Sequence, residues 1–336
     1  MTANPAASLL ATHSTRFGFG ASGLGTLTWD IPDDVAQAIL EEAWACGFRY
    51  FDTSPLYGFG LSELRLGRFL RNVPREQYVL STKVGRYFVA PKRGEIPDRG
   101  GWIRPQPLKP VLDYSYGGVM RSLEQSVNRL GQGAIDIVYI HDLDRRNLGA
   151  DFDRHYKTAV ESGFKALDEL RRSGDVKAIG AGLNEADVAA DLIRDCDLDA
   201  VMLAGRYTLL EQPALDAFLP KAQAKNVAVV AVGVFNSGIL VKPPEAGGNY
   251  DYGAAPQAII ERAKAISEIC TKYGVEMPAA AVHFPYGHPA VQCVLVGMSK
   301  LKAVRQNMGW YQTQIPGDLW RALKRAGLLA EEAPTP

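Results

Sequence analysis

Four side chains able to pass or hold a proton stand at or just beyond the ends of apolar runs in this chain. Asp52 closes "FRYFD" (48–52), and Tyr57 follows within "FDTSPLYG". Lys83 lies near the end of "YVLSTKV" (78–84), and His141 near the end of "IDIVYIHD" (135–142). A free phenol titrates near ~10 and is a poor acid or base at neutral pH. A neighbouring lysine ammonium favours the phenolate and is expected to lower that pKa, while an aspartate keeps the lysine charged and oriented. Tyr57 would then relay a proton while His141 hydrogen-bonds the substrate oxygen. Singly, each residue has a plainer reading, as a turn aspartate, a solvated lysine or a structural histidine. The chemistry requires that these strand ends meet.

The pattern of elements brings them together. Eight β-rich runs alternate with helical stretches: 16–20, 48–52, 78–84, 135–142, 176–182, 198–204, 227–233 and 291–297. The middle runs are apolar on consecutive positions, as parallel strands covered on both faces are. Asp30 is placed to cap a helix with Pro32 in its first turn and Asp33 and Asp34 at its positive end. Val119, Leu123, Val127 and Leu130 recur at helical spacing before a C-cap at Gly131. Val160, Phe164 and Leu167 do so before "RRSGD". This order predicts one α/β domain over 1–336, a (β/α)8 TIM barrel, with a doubly wound open sheet as the alternative. Two long segments, 86–114 and 241–255, would leave the C-terminal rim where such barrels build their sites. Their length without regular structure reads as lids.

Composition narrows the partners. The 336 residues carry 37 basic and 37 acidic side chains, so no basic footprint for nucleic acid is expected. Four scattered cysteines without a CxxC pair predict reduced thiols, not zinc or disulfides. The N-terminus lacks a basic region followed by an apolar core, and no apolar run approaches the ~20 residues of a membrane helix. A cytoplasmic protein acting on a small molecule, as a monomer or small homo-oligomer, is the expectation. "HDLD", Asp151–Asp153 and His283–His288 invite a metal reading, but there is no HExxH and the histidine spacing does not share a helix face. No metal is expected. A GxGxxG at Gly18, Gly20 and Gly23 suggests a Rossmann site, which needs a helix opening at its last glycine. Here "LGTLTWDIP" follows, and no helix can begin before about Asp30.

The segments "FDTSPLYG", "STKVG", "GVMRSLEQSVNRLG" and "IDIVYIHDLD" resemble those of the aldo-keto reductase superfamily, from about residue 16 to 328. The resemblance implies a (β/α)8 barrel holding NAD or NADP in extended form, with Asp52, Tyr57, Lys83 and His141 as catalytic residues. It implies cofactor contacts from Gly25 and Thr26 after the first strand and from Asp52. "GVFNSGIL" (233–240) resembles the pyrophosphate loop, through Gly233, Phe235, Ser237 and Gly238. "GMSKLKAVRQN" (297–307) resembles the adenosine end, through Gly297, Ser299, Gln306 and Asn307. The family's Ser-Asn pair after the fifth strand is replaced by Gly182 and Leu183, leaving Asn184 as substitute. Ala204 stands for a glutamine and Val232 for an aromatic. The basic residue often at the 2′-phosphate position is Gly297, with Lys300 and Arg305 nearby, so the cofactor leans to NAD. Within the superfamily "GFGASGLGTL", "DYSYGGVMRSLEQS", "GVFNSGIL" and "GMSKLKAVRQNMGWYQ" are most similar to a bacterial branch that oxidises aldoses such as L-fucose. The implied reaction is oxidation of an anomeric hydroxyl to a lactone. Oxidation of pyridoxal to its lactone, with Trp29, Trp102 and Tyr207 as an aromatic wall, and NADPH-dependent carbonyl reduction are the alternatives. A lyase forming a Schiff base at Lys83 and a non-catalytic redox sensor are further readings. The pairing of Lys83 with Asp52 disfavours the lyase.

Overall fold

A β-strand sends successive side chains to opposite faces, and in a closed barrel one face becomes the interior. The eight runs do this in a computed structural model that describes residues 4–12, 14–241, 248–251 and 253–336. They form β1 (Phe17–Gly20), β2 (Tyr50–Asp52), β3 (Val79–Val84), β4 (Ile137–His141), β5 (Ala178–Leu183), β6 (Ala200–Ala204), β7 (Ala228–Val232) and β8 (Val291–Gly297). Each pairs in parallel with the next, and β8 pairs with β1, so the barrel closes. The open-sheet alternative is thereby excluded.

The interior is packed in layers. Val79, Ile137, Ala178, Ala200, Ala228 and Cys293 lie deepest, plugged by Ala6 and Leu10 of α1 (Pro5–Leu10). Above them, the rings of Tyr50 and Tyr139 fill the middle. Those rings need glycines opposite. A Cβ on Gly18 would lie 2.7 Å from Tyr50 Cδ1, and one on Gly180 would lie 2.9 Å from Tyr139 Cδ1 and 2.1 Å from the Ala200 carbonyl. Two of the three GxGxxG glycines, Gly18 and Gly20, thus belong to β1. The third, Gly23, lets the turn Ala21–Gly25 press on Met298 and Ser299. The next helix, α2 (Asp33–Ala45), begins ten residues beyond Gly23, at Asp33.

Asp30 does not cap α2. Pro32, in an extended conformation, holds the N-cap position and leaves Asp30 too far back to reach the first free N–H groups. Asp30 instead pairs with Arg104 Nε at 3.0 Å. Asp33 receives Arg65 of α3 (Leu61–Leu70), whose guanidinium also donates to the carbonyls of Leu24 and Ile31. α4 (Tyr116–Leu130) ends as expected at Gly131, in the left-handed conformation that frees its C-terminus. The helix expected through 160–173 opens with a π-turn, Ala159–Gly163, and continues as Phe164–Ser173. At Gly163 a Cβ would stand 2.3 Å from the Tyr114 carbonyl, so the irregular turn admits the Tyr114 backbone.

The segment 86–114 has form of its own. Arg86–Val89 and Lys109–Leu112 pair as an antiparallel hairpin, and Phe59, Phe88 and Trp102 make a small separate core. Backbone bonds from Ile103 to Thr26 (3.0 Å) and from Gln106 to Gly58 (2.9 Å) staple it to the loops after β1 and β2. In the second segment, residues 242–247 and 252 of the expected lid 241–255 lie outside the described residues. Asn249–Tyr250 pairs with Gly253–Ala254 across a turn at Asp251. Among the described residues, no helix is long and apolar enough to cross a membrane.

Candidate active site

The uppermost inward position of every strand faces one cleft of about 510 Å³. Three neighbouring strands present chemistry there: Asp52 from β2, Lys83 from β3 and His141 from β4. The other five present small side chains or none, Gly20, Gly182, Ala204, Val232 and Gly297, and Met202 and Leu295 also line the cleft. One side of the rim, three strands wide, therefore carries ionisable groups, and the other five strands form a shallow floor.

Lys83 Nζ lies 2.6 Å from Asp52 Oδ2 and 2.9 Å from the Thr53 carbonyl, with both charged groups almost wholly buried. Ser81, two residues before Lys83 and so on the same face of β3, donates to Asp52 Oδ1 at 2.7 Å. The Tyr50 hydroxyl lies 3.0 Å from Ser81 Oγ, and the Tyr139 hydroxyl 3.5 Å from that of Tyr50. Burial alone would discharge Lys83, but the Asp52 carboxylate and Tyr57 outweigh it, and the Lys83 pKa is raised. Burial raises the Asp52 pKa, against the opposing pull of Lys83 and Ser81.

Tyr57 reaches the cleft from the turn after β2. Lys83 Nζ stands 4.9 Å from the centre of its ring, and His141 meets that ring edge-on at 5.8 Å. Here the expected electrostatics need correction. Burial pushes the Tyr57 phenol up to about 12, because enclosure penalises the phenolate more than Lys83 stabilises it. Lys83 pulls in the expected direction and is outweighed.

His141 is held neutral. Burial and the nearby charges of Lys83 and Arg86 keep its pKa well below the usual imidazole range. Its Nδ1 lies 3.0 Å from Ser54 Oγ, which also accepts from Leu56 N–H, and its Nε2 lies 3.5 Å from Asp142 Oδ1. The Asp142 side chain near Nε2 favours a ring proton on that nitrogen, and in that tautomer Ser54 donates to Nδ1. Tyr114 fixes the strand end by donating to the His141 carbonyl at 2.7 Å.

Several functional positions escaped the sequence reading. Asp142 turns left-handed (φ 55°) just past β4, and its carboxylate, 3.1 Å from Arg86 Nη1, lines the cleft. Asp144, the other acid of "HDLD", is a cap: it accepts from Asn147 N–H and from both the backbone and side-chain nitrogens of Asn184. Among the described residues, no cluster of potential ligands could hold a metal ion.

The implied cofactor positions divide. Asp52, Asn184, Gly233 and Gly297 line the cleft. Gly25 lies behind the rim, where a Cβ would sit 2.6 Å from the Tyr57 carbonyl carbon. Thr26 is buried away from the cleft, its hydroxyl accepting from Arg104 N–H at 3.1 Å. Phe235 packs edge-on to Trp310 at 5.8 Å, bringing the loop of Ser237 and Gly238 beside the helix Leu301–Gln312, which carries Gln306 and Asn307. Ser299 sits against Gly23. Asn307 is buried with Oδ1 lacking a hydrogen-bond partner, and Arg305 forks onto Glu42 of α2 at 2.5 and 3.0 Å. Of the three expected aromatic walls, only Trp102 lines the cleft. Tyr207 packs against Phe284 in the main core, and Trp29 packs on that core too.

The aldo/keto reductase family model matches residues 16–327. This chain belongs to the aldo/keto reductase family. It is 40% identical to the pyridoxal 4-dehydrogenase of Microbacterium luteolum over 325 residues, covering 94% of this chain and 95% of that one. It is also 40% identical to a D-threo-aldose 1-dehydrogenase of a Pseudomonas species over 336 residues, covering 99% and 98%. An aldo-keto reductase of Bacillus halodurans superposes with a TM-score of 0.72 at 21% identity, covering 95% of each chain, and shares the fold. As a member of the family, the chain is an NAD(P)-dependent oxidoreductase, and its substrates are small molecules.

Proposed function

We propose that the protein oxidises the anomeric hydroxyl of an aldose, of L-fucose or D-threo type, to the lactone with NAD. The divided rim carries this reading. A planar nicotinamide fits against Gly20, Gly182, Ala204, Val232 and Gly297, where a Cβ on Gly182 would already stand 3.6 Å from Lys83 Cε. When bound, the nicotinamide supplies the acceptor for the hydride that leaves the anomeric carbon. Tyr57, once ionised, takes the hydroxyl proton; Lys83 stabilises that phenolate, Asp52 keeps Lys83 charged, and His141 Nε2–H holds the substrate oxygen. Gly233, Phe235, Ser237 and Gly238 would follow the pyrophosphate, and Ser299, Gln306 and Asn307 the adenosine. Gly25 and Thr26 would act from behind the rim.

Asp142, Arg146 and Asn147 add polar groups that suit a polyhydroxylated ring. Trp102 favours a second reading, in which the cyclic hemiacetal of pyridoxal is oxidised by the same steps. The preference for NAD rests on Arg305, whose guanidinium is engaged by Glu42 and not left to a 2′-phosphate. The test is a panel of L-fucose, other aldoses and pyridoxal with NAD or NADP, following reduced-cofactor absorbance. NADH formed with aldoses supports the reading. Oxidation of pyridoxal alone replaces the substrate, and carbonyl reduction with NADPH alone removes both oxidative readings.

A further inference from the structure

At the opposite end of the barrel, a second cavity of about 650 Å³ opens where β1 begins. It lies among the segment leading into β1, the C-terminal end of α2 and the C-terminal part of the helix Leu301–Gln312. β1 enters beside this cavity at Phe17 and leaves at the catalytic cleft with Gly20, so about 10 Å of strand separates the two. That volume is within the range that holds a small organic ligand.

Its lining has an unusual charge balance. Arg16 and Arg49 both face it, and among the described lining residues there is no aspartate or glutamate. Neither arginine forms an ion pair with a described carboxylate. Arg16 lies over the ring of Tyr286 at 4.8 Å, and Arg49 lies over Trp44 at 3.7 Å while donating to the Trp44 and Phe48 carbonyls. Glu42, which accepts from the lining residue Cys46, already carries Arg305. Aromatic rings form part of the remaining wall, with Phe17 stacked on Tyr311 at 4.6 Å and His283 stacked on the same ring at 6.0 Å, beside Ser14, Met308 and Gln312. His283 Nε2 is buried without a hydrogen-bond partner.

Two guanidinium groups in one partly aromatic recess repel each other and attract an anion, and a ring-bearing anion also buries its body against Phe17, Tyr286 and Tyr311. We propose that this cavity is a second, non-catalytic ligand site for a small aromatic anion, whose carboxylate or phosphate is held by Arg16 and Arg49. The proposal does not depend on which substrate the catalytic cleft takes.

Calorimetric titration of the full chain, saturated with NAD, with benzoate, phenyl phosphate and inorganic phosphate tests it. One of the two aromatic anions should bind at a single site; which one is tighter identifies the anionic group. Arg16→Gln should weaken that binding at least ~10-fold, the scale of one lost charged hydrogen bond, while Arg16→Lys retains part of it. Trp102→Ala, which alters the catalytic cleft, should leave it unchanged. Melting temperature and turnover of Arg16→Gln should match the parent, since Arg16 touches none of the catalytic groups. Absence of binding by both aromatic anions, equal affinity in Arg16→Gln, loss in Trp102→Ala, or inorganic phosphate binding as tightly as phenyl phosphate would each overturn the assignment.

Discussion

Ser54 Oγ and His141 Nδ1 lie 3.0 Å apart, both buried, across the gap between the turn after β2 and the end of β4. Leu56 N–H occupies one acceptor site of the hydroxyl; its proton can be donated to Nδ1, and Nε2–H then faces the cleft. Ser54→Ala should free the ring to change tautomer and orientation. Turnover is expected to fall ~10-fold with cofactor affinity unchanged, and Ser54→Thr should restore most of it. Steady-state kinetics beside a cofactor titration read the two separately; an equal loss in both would mean a general structural role.

Tyr57→Phe keeps the ring and removes the hydroxyl. Turnover should drop ~10²-fold or more, while the dinucleotide still binds. The same variant isolates the phenol's titration. Because burial raises the Tyr57 pKa to about 12, the group stays protonated across the neutral range in the unliganded protein. The ultraviolet phenolate signal of the parent minus that of Tyr57→Phe should therefore remain absent near the usual tyrosine value of ~10 and emerge only at higher pH. A difference signal near neutrality would show that Lys83 prevails over burial.

The Lys83–Asp52 pair predicts strong coupling in stability. Lys83→Met leaves a buried carboxylate without its cation, and Asp52→Asn leaves a buried cation, so each should cost about 3–5 kcal/mol. The double variant should lose less than the sum, by more than ~1 kcal/mol, in denaturant titrations. The sign with pH follows from the raised Lys83 pKa. Its contribution is complete below the unfolded lysine value of ~10.4 and is lost as pH rises through the higher folded value. Alkaline unfolding of the parent should thus move to lower pH in Asp52→Asn.

Glu42 engages Arg305 with both carboxylate oxygens on the protein surface. Glu42→Gln should weaken that fork and leave the guanidinium available to a 2′-phosphate. The ratio of kcat/KM with NADP to that with NAD is expected to rise several-fold, and more at low salt than at high salt. An unchanged ratio would place Arg305 away from the cofactor.

The eight strands were legible because their apolar runs and turn signals repeat along the chain, and the reactive residues were legible because they sit at the ends of consecutive runs. Position along a strand, however, says little about net electrostatics. The direction of Lys83's pull on Tyr57 could be read, but the enclosure that outweighs it is a property of packed neighbours. Asp30 misled because capping depends on where Pro32 sets the first turn, a matter of a few dihedral angles. Tyr207 misled because aromatic types fit a cleft wall and a core equally well. The hairpin within 86–114 was hidden by its prolines and glycines, which mark its turns and obscure its short strands. Ser54 and Ser81 carried no signal in type or spacing; their roles appear only when β2, β3 and β4 lie side by side.

The hydroxyls beneath Asp52 run from Ser81 to Tyr50 and toward Tyr139, and there they stop, above a layer of aliphatic side chains sealed by Ala6 and Leu10. Burial lifts both deep phenols well above the ordinary tyrosine range, so neither serves as a proton reservoir. The chain of hydroxyls is a blind alley. On the proposed reaction, a proton taken up by Tyr57 would have no drain through the barrel floor and would return to solvent by the mouth through which the substrate entered. Recharging of the base would then share the cleft with the traffic of substrate, and each cycle would reset from above.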